Sequence, residues 1–382
     1  MKIGITDKSY PTERNILNKV SGAEYLVLRK NNNLFHSLST LKNLIFRKKI
    51  DFKGQYFFYQ KPKIDVLHLF NDINYSSQKW VSTCETLVPR FNETKDDHQK
   101  VEPSHTKNKK TEKALKKIAK KNCLGIICIS DAGANIQFEL LKNYPKLENT
   151  IKNKIFVLHP PQKLIDRNSE EFYKNLETFH FIFVGSQFFR KGGVEMIEVL
   201  QKLKEKYKFK LTLISTFETD NYVTKISKEE ASKYVETLKN ETWLEIFEKL
   251  PNEKVLELIK KSHVGLLPTW SDTYGFSVLE MQAAGVPVIS TDIRALPEIN
   301  NEDCGWLLHL PQNRLKQALY FTEEQKEILK NTLKEQLETV LINIFEHPEQ
   351  LIRKSKNSVK RIQEMHEPKI FEENLKEIYN KS

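Results

Sequence analysis

Short apolar runs rich in Ile, Val and Phe alternate along the chain with longer amphipathic stretches. The short runs predict strands at Lys2–Thr6, Glu24–Leu28, Asp65–Phe70, Trp80–Cys84, Leu124–Ile129 and Ile155–His159. A second series predicts strands at Phe179–Gly185, Lys210–Ser215, Trp243–Phe247, Val264–Pro268, Pro287–Ser290 and Gly305–His309. Several lack polar alternation, as expected of strands covered on both faces. The intervening stretches predict helices, among them Asp131–Lys142, Gly192–Lys204, Asn252–Lys261 and Gly275–Ala284. Strand and helix in alternation imply an α/β fold with doubly wound parallel sheets.

The strand series breaks at His159-Pro-Pro-Gln162, where two prolines favour an extended linker, and restarts near His180. Two α/β domains of similar size follow, one ending at 162 and one starting at 163, in keeping with 382 residues. The tail from Phe321 is helical by composition. Pro368 interrupts it and leaves Phe371–Asn380 as a separate last helix.

Charge narrows the partners. Sixty-one Lys and Arg against fifty Asp and Glu give +11, which favours anionic ligands and surfaces. The segment Asn92–Asn122 has few aromatics, and its first half predicts a loop. Lys107 to Lys121 carries eight lysines and one acid, Glu112. Thr111–Lys121 predicts a helix with Ala114, Leu115, Ile118 and Ala119 on one face. Two readings are open for it: a surface helix packed on its own domain, which the small apolar face favours, or a basic helix lying on anionic membrane. The cluster lacks the interleaved aromatics of a nucleic-acid site, so nucleic acid is not an expected partner. No apolar run reaches the length of a membrane span, and the N-terminus has no hydrophobic signal core. Cys84, Cys123, Cys128 and Cys304 form no Cys-x-x-Cys pair and read as reduced thiols of a cytosolic protein. The ten histidines show no metal-ligand spacing, so no structural metal is expected.

Glycine is scarce, twelve residues in all, and five of them sit in two short segments. The first segment runs from Ser271-Asp-Thr-Tyr-Gly275-Phe-Ser-Val-Leu-Glu280 to Val286-Pro-Val-Ile-Ser-Thr291, between two predicted strands. Gly275 opens a helix whose free N–H groups face the sheet's carboxyl edge, a setting that suits phosphate. Asp272 precedes that helix, and Glu280 lies on it between Leu279 and Met281. A carboxylate there binds a ligand's hydroxyls, or it sits on the solvent side of an ordinary crossover helix. The second segment is Phe183-Val-Gly185-Ser-Gln-Phe-Phe-Arg190-Lys191-Gly-Gly193. Two cations between a strand end and a helix start make either a diphosphate site or a solvated basic turn.

Together the two segments resemble the retaining GT-B glycosyltransferases, specifically glycosyltransferase family four, also described as glycosyl transferases group 1. The resemblance is good over about Phe179–Glu298 and fainter over the N-terminal half. It implies two Rossmann-like doubly wound domains with an interdomain cleft. Residues 1–162 would be the acceptor-side domain, rejoined by a C-terminal helix at 369–382, and residues 163–368 would bind the nucleotide sugar. It implies transfer of a hexosyl group from a nucleoside-diphosphate sugar to an acceptor hydroxyl with retained anomeric configuration. Surface glycan or polysaccharide synthesis is the implied setting, with no cofactor and no metal. By resemblance Glu280 binds the donor ribose, and Asp272 contacts the transferred sugar. Tyr274, Gly275, Phe276 and Ser277, with Gly185 and Ser186, contact the rest of the donor, and Arg190 and Lys191 neutralise the leaving diphosphate.

This chain departs from the family pattern at three places. Asp272 is one methylene shorter than the usual Glu, and Ser186 replaces the usual Arg after the strand glycine. Thr83-Cys84-Glu85 stands where Thr-x-His is common, which puts Glu85 in the position of a sugar-contacting His. In the first domain, Thr6 and Asp7 follow the first strand, and Ser130 and Asp131 read as a helix cap. His68 is a core residue or a residue near the strand end that reaches the cleft. Acceptors of such enzymes are glycans or lipid-linked precursors. That expectation fits a cytoplasmic protein in peripheral contact with the membrane's inner face. Specificity is expected in loops Phe70–Lys79 and Asn92–Thr111. The alternative reading is a non-catalytic GT-B-like subunit that binds nucleotide or scaffolds a partner.

Overall fold

The computed structural model describes residues 1–28, 34, 54–58, 62–91, 107–167, 172–173 and 176–381. The expected loop at residues 92–106 lies outside them. The chain divides into two compact units, Met1–Pro161 with His366–Ser382, and Gln162–Met365. The first division falls one residue before the expected break. The return to the first unit comes at His366, not at 369, for a local reason. His366 Nδ1 donates to the Pro160 carbonyl at 2.8 Å and its ring meets His159 edge-on.

The first unit is a six-stranded sheet, all parallel, in the order β2-β1-β4-β6-β7-β8. Its strands are β1 Lys2–Ile5, β2 Glu24–Val27, β4 Val66–Phe70, β6 Trp80–Cys84, β7 Cys123–Cys128 and β8 Ile155–Val157. A two-residue pair, β3 Gln55–Tyr56 with β5 Ile73–Asn74, lies outside the sheet, β5 within the predicted Phe70–Lys79 loop. The helices are α1 Tyr10–Asn15, α2 Lys109–Ile118, α3 Asp131–Lys142 and α4 Pro145–Lys152. Successive strand residues point to opposite faces, and both faces are covered. Leu67, Leu69, Trp80, Ile126 and Cys128 pack under α2 and α3, whereas Val66, Val81, Leu124 and Ile127 pack under the C-terminal helix.

Helix α2 resolves the two readings of the lysine-rich segment. Ala114, Leu115 and Ile118 are fully buried in the unit's own core, so the apolar face is already used. The helix begins two residues earlier than expected, where Asn108 accepts from Thr111 N at 2.7 Å as N-cap. Ser130 likewise caps α3 by accepting from Gly133 N. Asp7 accepts from Ser9 N and from the Ser9 and Thr12 hydroxyls, which fixes the start of α1. All four cysteines are buried, with Cys84 and Cys128 side by side across β6 and β7.

The second unit is another six-stranded parallel sheet, in the order β11-β10-β9-β12-β13-β14. It comprises β9 Phe179–Val184, α5 Gly193–Leu203, β10 Phe209–Ile214, α6 Lys228–Leu238, β11 Leu244–Phe247 and α7 Asn252–Lys260. There follow β12 Val264–Leu267, α8 Phe276–Ala283, β13 Val288–Thr291, α9 Leu296–Ile299, β14 Trp306–Leu308, α10 Glu323–Glu346 and α11 Gln350–Met365. The connections wind outward in both directions from β9 and β12, so the topological switch point lies between those two strands.

The tail differs from expectation in having two breaks. The first falls at His347-Pro348, between α10 and α11. The second is the expected one at Pro368, and the separate last helix, α12, Pro368–Tyr379, starts at that proline, three residues earlier than expected. That position suits proline, whose missing N–H has no intrahelical partner there. Phe371, Leu375, Ile378 and Tyr379 of α12 cover the first unit's sheet.

His68 is a core residue, buried on β4. Its Nδ1 meets the Tyr379 hydroxyl and its Nε2 the Thr83 hydroxyl at 2.7 Å. Burial pulls its pKa down to about 3. The unfolded chain therefore takes up a proton near pH 6.5 that the folded unit refuses until about pH 3. Stability present above 6.5 is lost across that window as pH falls, by about 1.4 kcal/mol per pH unit from this group. In His68→Gln, urea unfolding between pH 6 and pH 4 is expected to lose that part of the slope. An unchanged slope would remove His68 from the acid sensitivity.

Candidate active site

At the switch point of the second unit the turn after β9 and the turn after β12 lie side by side. Strand β9 ends where Gly185 N donates to the Ile214 carbonyl at 3.1 Å. The chain then turns through Ser186–Lys191, with Lys191 N donating to the carbonyls of Gln187 and Phe188. Gly192 follows with φ +73°, and a Cβ there would lie 1.9 Å from the Pro268 carbonyl oxygen. Only glycine permits both the left-handed conformation and that approach. Trp270 N donates to the Arg190 carbonyl at 3.1 Å and ties the two turns together.

This approach joins two residues far apart in sequence. Lys191 Nζ forms an ion pair with Asp272 Oδ2 and lies 3.5 Å from the Ser271 carbonyl. The side chains are only 8% and 16% exposed, so the pair is poorly hydrated. The other carboxylate oxygen, Oδ1, accepts from Thr273 N at 2.7 Å and Tyr274 N at 3.2 Å. Burial pulls the Lys191 pKa down, and Asp272 works in the opposite direction. For Asp272, burial pushes upward, but Lys191 and the backbone N–H of Tyr274 outweigh it and hold the carboxyl below its ordinary value. Both groups are thus held charged by each other, in a setting where a lone charge would be costly.

Helix α8 begins one residue later than expected. Gly275 is its N-cap, with φ +97°, and a Cβ there would meet Leu296 Cδ2 at 2.6 Å. Gly275 has no side chain with which to cap this end, and the geometry of any helix gives its first-turn N–H groups no intrahelical acceptor. Tyr274 is buried with its ring against Phe276. Glu280 is buried on the same helix, which excludes the solvent-side reading.

The remaining expected residues are placed differently. Arg190 does not join the ion pair, and its Nη1 donates to the Tyr222 hydroxyl at 2.7 Å. Ser186 is exposed. In the first unit Glu85 follows β6, where its carboxylate is paired with Arg90 at 2.7 Å and its backbone N donates to Asn71 Oδ1.

Sequence reasoning missed a supporting chain behind Asp272. Arg294 is buried after β13 at φ +49° and donates to the Leu315 carbonyl and to Gln317 Oε1 at 3.0 Å. Gln317 in turn donates to the Tyr320 hydroxyl at 2.6 Å, and that hydroxyl reaches Ser271. Thr269, fully buried, donates to the Ser271 carbonyl and accepts from Thr291 no less than from Ser271 N through separate oxygens. No motif marks these residues, because each acts through a contact distant in sequence.

Residues 165–339 match the family model described as Glycosyl transferases group 1. No curated protein matches the sequence. Among solved structures, sucrose-phosphate synthase from Thermosynechococcus elongatus aligns with TM-score 0.56 at 13% identity, over 93% of this chain and 80% of that one. A glycosyltransferase from Rickettsia africae aligns with TM-score 0.57 at 14% identity, over 99% and 89%. WaaG, a glycosyltransferase involved in lipopolysaccharide biosynthesis, aligns with TM-score 0.54 at 14% identity over the whole of both chains. At these identities the likeness bears on the fold, which is GT-B, with two Rossmann-like domains.

Replacing Lys191 by Met leaves Asp272 without its counter-charge and is expected to cost about 3 kcal/mol of unfolding free energy. Asp272→Asn added to it should restore part of the loss, because the two residues are coupled. Chemical denaturation of the single and double variants checks this. Strict additivity would show that the pair contributes no coupling.

Proposed function

We propose that this chain, whose residues 165–339 belong to glycosyl transferases group 1, is a retaining glycosyltransferase that uses a nucleoside-diphosphate sugar. The observation that carries the reading is the buried Lys191–Asp272 pair at the switch point, in the same turn that leads into the uncapped start of α8. A diphosphate that reaches Lys191 takes over the role of Asp272 as its counter-charge. The released carboxylate is then able to accept hydrogen bonds from the sugar's hydroxyls. The α8 N-terminus and Arg190 supply further positive potential for the leaving group. Ser186 and Gly185 line the strand end beneath it, and Glu280 holds the ribose.

In the proposed reaction the bond between the anomeric carbon and the diphosphate oxygen breaks. The acceptor hydroxyl bonds to that carbon on the same face, and its proton passes to the departing phosphate. Preorganised cations of this kind typically supply several kcal/mol of barrier reduction, so no divalent metal is assigned a part. Glu85 is assigned to the acceptor side, with the first unit receiving a glycan or lipid-linked acceptor in surface glycan or polysaccharide synthesis. No helix among the described residues is long and apolar enough to cross a membrane. A cytoplasmic protein meeting its acceptor at the inner membrane face fits that, with the exposed lysines of α2, not its apolar side, making the contact.

The test is a thermal-shift panel of UDP-, GDP-, ADP- and CMP-linked sugars with and without chelator, followed by turnover with the stabilising donor. A ligand that binds only the folded protein raises its melting temperature by mass action. One base should stabilise selectively and equally in chelator. Lys191→Ala and Glu280→Gln should each lower turnover by about a hundredfold or more while remaining folded at the assay temperature. Binding without transfer over many acceptors would favour the non-catalytic subunit. No stabilisation by any donor would remove the donor site.

A further inference from the structure

The turn that carries Asp272 is held to the Lys191 segment at a second point. Trp270, two residues before Asp272, is 2% exposed, and both of its N–H groups are bound to that segment. Its backbone N donates to the Arg190 carbonyl at 3.1 Å, and its indole N–H donates to the carboxylate of Glu195, the third residue of α5. The two bonds straddle Lys191 in sequence. The Thr269 hydroxyl adds a longer contact to the same Arg190 carbonyl, at 3.4 Å.

Glu195 is 4% exposed, and a carboxylate so buried is costly unless its oxygens are bound. Burial pushes the acid up to about 7, against its own backbone N–H and the Trp270 indole, which favour the charged form. The first turn of a helix favours that form too. Other charges surround it. Glu198 on the same helix pushes it further up, and Lys330 on α10 opposes this. Lys326 and Glu323 of α10, Lys225 of the loop before α6 and Glu230 of α6 line the same cavity, of about 390 Å³, and the acid's charge is felt at Tyr234 of α6. Ser227 and Lys326 hold Glu230 and Glu323 below the ordinary carboxylate range, and burial pushes the Tyr234 hydroxyl up. Those three therefore do not titrate near neutrality alongside Glu195. Lys191 and Asp272 do not line the cavity, so the acid reaches them through Trp270.

We infer that Glu195 is a positioning residue for the donor site, and that through the Trp270 indole it holds the Asp272 turn against the Lys191 turn. The inference rests on the donor reading above. A charged acceptor binds an N–H more strongly than a neutral one, so the ionised acid clamps the turn and the protonated acid loosens it. The clamp works against stability. The folded chain keeps this proton up to about pH 7, whereas the unfolded chain releases it near 4.5. The group's contribution to stability is therefore full below 4.5 and declines as pH rises to about 7. Above that window a neutral isostere is the more stable residue and the weaker clamp.

Two measurements on the full chain test this. The first needs no donor. The fluorescence contributed by Trp270, read as the difference between the chain and Trp270→Phe, should titrate with a midpoint near pH 7. The same difference taken in the Glu195→Gln background should show no step. The second is turnover with the donor that stabilises the chain. Divided by that of Glu195→Gln, the chain's kcat/KM should rise about threefold or more between pH 6 and pH 8, and the ratio cancels ionisations common to both. Glu195→Gln should also melt no lower than the chain at pH 8, which separates positioning from loss of packing. A ratio that stays flat while the donor is still turned over overturns the inference and leaves the donor reading intact. So does a Trp270 step that survives Glu195→Gln, or a fall in melting temperature that accounts for the lost turnover. A Trp270 step that follows Glu195 without stabilisation by any donor fails the donor reading, and the inference falls with it.

Discussion

The second unit's chemistry depends on one steric constraint, the approach of the Gly192 backbone to the Pro268 carbonyl. A side chain at 192 would have its Cβ inside contact distance of that oxygen, and the positive φ there adds a second demand for glycine. With the turns held together, the hydrogen bond from Trp270 N to the Arg190 carbonyl becomes possible. Lys191 and Asp272 then face each other across the switch point. Parallel pairing of β9 and β12 sets the distance between the turns, and the glycine removes the last obstacle to contact. Packing therefore comes first, and the charge arrangement is its consequence.

That arrangement solves a problem of unpaired charge. Buried Lys191 would lose its proton readily on its own, and Asp272 would gain one. Each supplies the other's counter-charge, and the backbone N–H groups of Thr273 and Tyr274 complete the carboxylate's shell. Such a pair adds little net stability relative to an apolar pair, since desolvation offsets much of the attraction. Its consequence is that two opposite charges sit together in a place of low polarity, where electrostatic interactions are strong. The chain through Arg294, Gln317, Tyr320 and Ser271 limits the freedom of the turn that carries the acid.

Local pattern made the sheets legible. All twelve sheet strands lie within a residue or two of their apolar runs, because strands covered on both faces leave an uninterrupted apolar signal. The short pair β3–β5 left no such signal, since two residues are too few for periodicity. Helix α6 falls in a stretch expected to be helical, but its bounds come from the capping box of Ser227 and Glu230 and not from an apolar stripe, since it buries only Ala231 and Leu238. In the candidate site, glycine spacing pointed to the two turns that the structure brings side by side, but not to the contact between them. Arg190 shows why. Adjacent to Lys191 in sequence, it turns instead to Tyr222, and only the tertiary course of the β10–α6 loop decides that. His68 likewise depended on Tyr379, more than three hundred residues away.

Glu85 gains a physical account from its neighbours. Where the family pattern has a histidine, this chain has an acid, and five residues later it has Arg90, whose guanidinium meets that acid at 2.7 Å. The replacement is therefore a compensated one. Each unit carries, beyond the carboxyl end of a sheet strand, one acid held by one cation, Glu85 with Arg90 and Asp272 with Lys191. The two pairs differ in exposure. Glu85 and Arg90 are 19% and 29% exposed, so water screens their attraction more and either group can exchange partners at smaller cost. Lys191 and Asp272 are drier, and only a ligand that brings its own charge can separate them without leaving one of the two buried alone. The difference in hydration thus makes the Lys191–Asp272 pair the harder of the two to part without a replacement charge.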